Sequence, residues 1–457
     1  MYNTIYKRRK RDFMKNLRLF HLAWPIFIET ALFMLLGFVD VFVLSRYDDL
    51  AASSVNTANQ AVSIITIVFT VISGASAVLI SQYLGAGKRV NASRIAALSI
   101  VFNLVTGLAA SIIILVFSKN ILSFIGARGK VLEFSSMYLS VVGGFLFLQA
   151  VMSSMAVIVR NHGLTKISMY VTVGMNLINT TLDIVFVLGL FGLPKMGVMG
   201  VAAATTFSRI LGTAVLAFFL FKKVESPSIF KLLKPFPFSD VRDMIKIGVP
   251  SALETFLYNL SQLVITSIVL NYLSEAELIT KTYVNNITMF FYIFSVSIGQ
   301  ASQIITGHLV GAGKTDEAYS RGLKSYRYAL AITFAIALTG VLFRYQLIGI
   351  FTADGEVINL GVNILLINLA LEFGRTTNLV LIACLRGSGD VFFPTGCAIF
   401  SMWAISVAGS YLLAVVFGMG IYGLWIALAA DECFRGIMMI IRWKGGKWKT
   451  KRVVTDN

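Results

Sequence analysis

The sequence predicts an all-α integral membrane protein of twelve transmembrane helices arranged as two pseudo-symmetric six-helix lobes. Three observations carry that expectation. Apolar runs of spanning length recur from end to end, the basic residues sort to one side of them, and the second half of the chain repeats the first. Of the 457 residues, 57% are hydrophobic and 13% charged, and the mean hydropathy is +0.80, too apolar for a soluble domain. A run of about 20 apolar residues crosses a ~30 Å hydrocarbon core at ~1.5 Å per residue. Helices follow, because a segment surrounded by lipid must satisfy its own backbone hydrogen bonds.

In chain order, the first span, 19–44, follows a basic amino terminus and carries Glu29 and Asp40. It has no small-residue cleavage site, so it reads as a span rather than a signal peptide. Spans at 58–84 and 95–117 flank the turn Gly85-Ala86-Gly87-Lys88, and spans at 134–159 and 167–191 flank Arg160-Asn161-His162-Gly163. The sixth span is 197–220. The segment after it holds three of the seven prolines and reads as a cytoplasmic link. Spans at 248–272, 280–310, 328–350, 357–385, 391–417 and 421–443 complete the second set. The expected organisation is therefore an amino-terminal lobe 1–221, a linker 222–246, and a carboxy-terminal lobe with a basic tail, 247–457.

The basic residues orient these spans. With the amino terminus cytoplasmic, 29 of the 39 lysines and arginines fall on inner segments, from the cluster Lys7, Arg8, Arg9, Lys10, Arg11, Lys15 and Arg18 to the tail. Seven fall outside, namely Arg46, Lys119, Arg128, Lys130, Lys195, Lys281 and Arg344, and three lie within spans, Arg209, Arg375 and Arg435. This is the positive-inside pattern with both termini cytoplasmic. It accounts for the net charge of +17 without a nucleic-acid partner.

The repeat has an offset of about 225 residues. Pro25 and Glu29 match Pro250 and Glu254, and Gly85-Ala86-Gly87-Lys88 matches Gly311-Ala312-Gly313-Lys314. Arg160 and Gly163 match Arg386 and Gly389, and the Met196–Gly200 turn matches Met419–Gly423. Six spans per half is an even number, so both halves start on one side of the membrane and are related by an axis along its normal. A cavity between the lobes is the expectation.

These same residues resemble the multidrug and toxic compound extrusion (MATE) family over essentially the whole chain. The stretch Met34 to Ser45, with Asp40, is similar to its DinF-like branch. The resemblance implies a secondary transporter, an antiporter driven by H⁺ or Na⁺ that exports small organic cations across the cytoplasmic membrane. No other cofactor is implied. The partners expected are a small-molecule substrate and membrane lipid, with the protein a monomer. A flippase for a lipid-linked precursor is the alternative within the wider superfamily, although such proteins line their cavity with several basic groups. A membrane enzyme is disfavoured, since no nucleophile, zinc or accessible carboxylate signature is present.

Ionisable residues inside spans point to function, because each costs about 2.5–3.5 kcal/mol at a helix centre. Asp40 and Asp183 lie at comparable depth, and Asn176, Asn179, Thr180 and Asp183 share one helix face. Two carboxylates and an amide make a hard-oxygen Na⁺ site or a proton-sharing pair. The family's amino-terminal cation site carries over to Asp40, Asn179 and Asp183, with Thr205 matching its span-6 threonine. The other reading is that each aspartate only bonds a neighbouring helix. Polar residues clustered on otherwise apolar spans suggest substrate contacts at Asn56, Gln60, Glu254, Tyr258, Asn286, Tyr292 and Glu372. Glu254 has a repeat partner in Glu29, which suits a structural need equally, and Glu372 has Arg375 at i+3 for a local ion pair. His21, His162 and His308 have no second ligand at metal spacing. Lys314 ends a loop with His308 where a phosphate-binding loop needs its first glycine, so neither feature implies a metal or nucleotide.

Overall fold

The computed structural model describes residues 17–45 and 47–454. The basic residues Lys7 to Lys15 and Arg46, part of the topology expectation, lie outside the described residues. In the first half the helices are α1 (Leu19–Ser45), α2 (Asp49–Gly85), α3 (Arg89–Ile125), α4 (Gly129–Gly144), α5 (Leu146–Asn161), α6 (Thr165–Leu188) and α7 (Gly197–Val224). In the second they are α8 (Phe238–Tyr272), α9 (Glu275–Gly311), α10 (Thr315–Leu342), the short α11 (Arg344–Gly349), α12 (Gly355–Ser388), α13 (Phe392–Val416) and α14 (Gly420–Lys444).

Among the described residues nine of these helices are long and apolar enough to cross a membrane, and α4 with α5, bent by 47° at their junction, makes a tenth. The remaining two expected spans are α1 and α14. The described side chains of α1 give an apolar stretch of Leu19–Leu35 within a helix that runs on to Ser45, and α14 is diluted by Asp431, Glu432 and Arg435. All twelve expected spans are thus helical, in the two-lobed membrane architecture.

Several helices begin earlier than their apolar runs do. The first turns of α2 are rich in serine, threonine and asparagine, which hydropathy reads as loop. Their hydroxyls instead donate to carbonyls one turn back, Ser54 Oγ to Leu50 O at 2.7 Å and Thr57 Oγ1 to Ser53 O at 3.0 Å, so the helix carries them. At α9 a capping box sets the start: Ser274 accepts from the Glu277 N–H while Glu277 accepts from the Ser274 N–H. That early start corrects the reading of Lys281 as an outer-loop residue. It lies inside α9, buried, with Nζ donating to Thr266 Oγ1 at 2.9 Å.

The chain divides into two compact units, one of residues up to Leu84 with Lys88–Gly248, the other of Val249 onward with Gly85–Gly87. In the first, α1 packs on α6, α6 on α7, and α3 on α4 and α5. Its core includes Leu44, Val55, Phe69, Tyr138 and Val201. In the second, α12 is central, packed against α9, α10 and α14. Ile265, Phe291, Leu371 and Trp425 belong to that core.

Candidate functional site: two buried polar clusters

The first cluster forms where α1, α4, α6 and α7 meet in the first unit. The helical spacing of α6 turns Asn176, Asn179 and Asp183 to one buried side. Asp183 is fully buried and Asp40, from α1, is 3% exposed, so neither is in contact with bulk solvent. Their carboxyl groups lie within hydrogen-bond reach of each other. Asn179 sits between them. With both carboxylates ionised its Nδ2 donates to Asp40 Oδ1 at 3.2 Å and Asp183 Oδ2 at 3.3 Å and its oxygen accepts from the Thr205 backbone N–H at 3.3 Å, whereas turned over it faces the carboxyls with its oxygen and Nδ2 donates to Thr205 Oγ1 at 3.4 Å. The second carboxylate oxygen of Asp183, Oδ1, is buried without a partner. The structure therefore brings together all four residues expected here, Asp40, Asn179, Asp183 and Thr205.

Two further side chains join them. Tyr138, on α4, is buried, donates to Asn59 Oδ1 at 3.2 Å and lies in hydrogen-bond reach of Thr205. Arg209, on α7, is within electrostatic reach of Asp40 and Tyr138. Sequence reasoning recorded Arg209 as a charge inside a span but did not connect it to this site, although it follows Thr205 at i+4. Nothing in the sequence singles out Tyr138 among the chain's 16 tyrosines.

The second cluster lies in the other unit, between α12 and α14. Arg375 Nη1 meets Glu372 Oε1 at 2.9 Å, and its Nε lies 3.7 Å from Glu432 Oε1. Arg435 bridges Asp431 at 2.7 Å and Glu432 at 3.2 Å. The Tyr292 ring is stacked under Arg375, with the guanidinium carbon 4.7 Å from its centroid, and Tyr258 is within electrostatic reach of the same arginine. Three carboxylates thus face two guanidiniums. The expected local pair of Glu372 and Arg375 is present, but it is one edge of a larger network. Asn378, which donates to Glu432 Oε2 at 3.0 Å, and the α14 residues Asp431, Glu432 and Arg435 extend it beyond what spacing along α12 could indicate.

The other residues considered for substrate contact are not part of either cluster. Glu254 accepts from Arg386 Nη2 at 2.7 Å and from Thr395 Oγ1 at 2.9 Å. Glu29 is held alike in the first unit, accepting from Ser168 Oγ at 2.8 Å with Arg160 Nη1 at 3.6 Å. Asn56 and Gln60 are exposed on α2, and Asn286 is half-buried on α9.

The comparisons with known proteins agree with this architecture. The family profile described as MatE matches residues 25–185 and 250–412. An uncharacterized transporter, YisQ of Bacillus subtilis, is 36% identical over 97% of this chain and 97% of its own length. A probable multidrug resistance protein, NorM of Thermotoga maritima, is 27% identical over 96% of this chain and 94% of its own. Among solved structures, a MATE protein in a bent conformation superposes with a TM-score of 0.86 at 20% identity, covering 93% of this chain and 94% of that one. A MOP superfamily transporter from Pyrococcus furiosus gives 0.86 at 19% identity, with 95% and 97% covered. At those identities the structural likeness is one of fold. A membrane-embedded helical chain with the repeat of this profile in both halves, and with a relative so close along its full length, belongs to the MATE family of transporters.

Proposed function

We propose that this chain is a proton-coupled antiporter that exports small organic cations across the cytoplasmic membrane, with Asp40 and Asp183 as the coupling pair. The observation that carries the reading is the pair itself, two carboxyl groups within hydrogen-bond reach, buried in a membrane-embedded helical unit. Two such groups resist double ionisation in a medium of low dielectric, so a cation must enter and leave as the site cycles. The proton is favoured over Na⁺ because the two carboxyl groups lie within hydrogen-bond reach of each other, where one shared proton bridges them. Asn179 serves either state of the pair, since its amide can present nitrogen to ionised carboxylates or turn over and present oxygen to a protonated one. Filling the site removes charge from the outer half of α1, which then packs differently against α6. Ion binding and substrate release are linked in this way without sharing every ligand.

The relatives named as probable multidrug resistance proteins support organic compounds as the substrate class. Tyr258, Tyr292 and Glu372 are proposed to contact the substrate, their cluster carrying one more carboxylate than guanidinium. Asn56, Gln60, Asn286 and Glu254 are secondary candidates. The flippase alternative is weakened, because Arg375 and Arg435 are occupied by carboxylates and are not free for a lipid phosphate.

The test uses purified protein in liposomes with a pH or Na⁺ gradient imposed one at a time, against a panel of cationic dyes. Wild type is expected to respond to the pH gradient. Asp40→Asn is expected to lose gradient-driven transport while still binding dye. Wild-type transport by Asp40→Asn at equal incorporation would move coupling to Glu254 and Glu372 and overturn the assignment.

A further inference from the structure

Arg209 has a different standing from the other two arginines inside spans. Arg375 and Arg435 touch carboxylates directly, Glu372 at 2.9 Å and Asp431 at 2.7 Å. Arg209 makes no such ion pair among the described residues. One of its guanidinium nitrogens, Nη1, is buried with no partner. It sits one turn beyond Thr205 on α7, within electrostatic reach of Asp40 and of the Tyr138 hydroxyl. An arginine is never deprotonated in a protein, so its charge is permanent.

We propose that Arg209 is the ion-selectivity residue of the amino-terminal site, a fixed positive charge that leaves the Asp40 and Asp183 pair one exchangeable cation and keeps sodium from filling it. The inference rests on the reading of that pair as the coupling site. Empty, the two carboxylates carry two negative charges. The guanidinium offsets one, so a single entering cation neutralises the cluster. The charged or titratable groups around the pair are Asp40 from α1, Tyr138 from α4, Asp183 from α6 and Arg209 from α7. Asn59 of α2 reaches only as far as Tyr138.

The repulsion from Arg209 falls equally on any cation that enters, but its consequence differs with the ion. A proton bonds covalently to a carboxyl oxygen, and two carboxyl groups in mutual hydrogen-bond reach hold it tightly. Weakening that grip is what allows its release within a transport cycle. Sodium forms no such covalent bond and must give up its water for the oxygen ligands of the site. Its affinity starts low, so the same weakening removes it from the working range.

The experiment compares wild type, Arg209→Gln, Arg209→Lys and Asp40→Asn in proteoliposomes, with ethidium as the probe and a pH or Na⁺ gradient applied separately. Wild type and Arg209→Lys are expected to respond to the pH gradient alone. Arg209→Gln is expected to gain Na⁺-driven transport at least about tenfold above wild type. A second measurement does not need turnover: NaCl, against choline chloride, should raise the Tm of purified Arg209→Gln and leave that of wild type unchanged. Arg209→Met, equally long and uncharged, repeats both measurements if the glutamine variant does not fold. Unchanged ion preference with no sodium response in the uncharged variants would overturn the role of Arg209, as would Na⁺-driven transport by wild type. Normal transport by Asp40→Asn would instead overturn the coupling assignment itself, whatever Arg209 does.

Discussion

Each half of the chain anchors the glutamate of its first span with an arginine from the last turn of its fourth, Glu29 with Arg160 and Glu254 with Arg386. The repeat therefore preserves an interaction as well as a pattern, and its place at corresponding points of both units explains why Glu254 is engaged structurally. Asp40 and Asp183 have no such counterpart, since the repeat puts Ile265 and Gly409 in their places. Single Asp40→Asn and Asp183→Asn variants should each abolish gradient-driven efflux. The double variant should be no worse than either, because the two carboxyls act as a unit. Additive losses in a vesicle efflux assay would show two independent sites. A second residue-level prediction concerns His162, between α5 and α6, whose imidazole is pushed down to about 4 by burial. Native His162 stays neutral while the unfolded chain takes up a proton near its ordinary value of 6.5. Protons thus bind the unfolded state preferentially between those values, and stability is lost as pH falls through that window. The Tm of wild type should drop relative to His162→Gln as pH is lowered from 7 toward 4.5. Parallel curves would show that this group contributes nothing.

At the scale of elements, the close approach of α12 and α14 decides how the second cluster forms. A Cβ built on Gly374 would lie 2.5 Å from Cys433 N and 2.6 Å from Glu432 C, so only a glycine lets the two backbones meet there. That contact lies within two residues of Glu372, Arg375 and Arg435, and it sets the spacing of the network. Gly374→Ala should force the helices apart at a cost of about 1–3 kcal/mol, seen as a lower Tm in detergent. Gly396→Ala, on α13, is the control, since nothing lies within 4 Å of its added Cβ. Equal thermal stability of the two variants would argue against a backbone-limited crossing. Beyond α14 the chain turns back, stacking Trp448 on Trp443 with centroids 4.1 Å apart, and Arg452 donates to the Gly311 carbonyl at 2.9 Å. The tail is thereby tied to the loop that follows α9.

For the molecule as a whole, the inward bias of basic residues predicts that both termini and the linker face the cytoplasm. Cysteines introduced at Phe230→Cys and Lys449→Cys should resist an impermeant thiol reagent in intact cells and react after permeabilisation. Reaction in intact cells would invert or break the topology. The sequence by itself determined the helical membrane class, the number of spans and the two-fold repeat. Those properties are written in local composition, since a lipid-exposed segment must be apolar and helical wherever it lies. It also drew attention to Asp40, Asn179, Asp183 and Glu372, because charge and amide groups are costly in a bilayer and stand out against it. Only the tertiary structure decided who meets whom. Arg386 reaches Glu254 across 132 positions of sequence, Tyr138 enters the aspartate site from a separate helix, and α14 supplies Asp431, Glu432 and Arg435 to the charge network around Arg375. Hydropathy says that a helix crosses the membrane, but it leaves the helix's rotation and neighbours open. Those are set by side-chain packing between distant segments, and in this protein the packing turns scattered polar residues into two buried clusters.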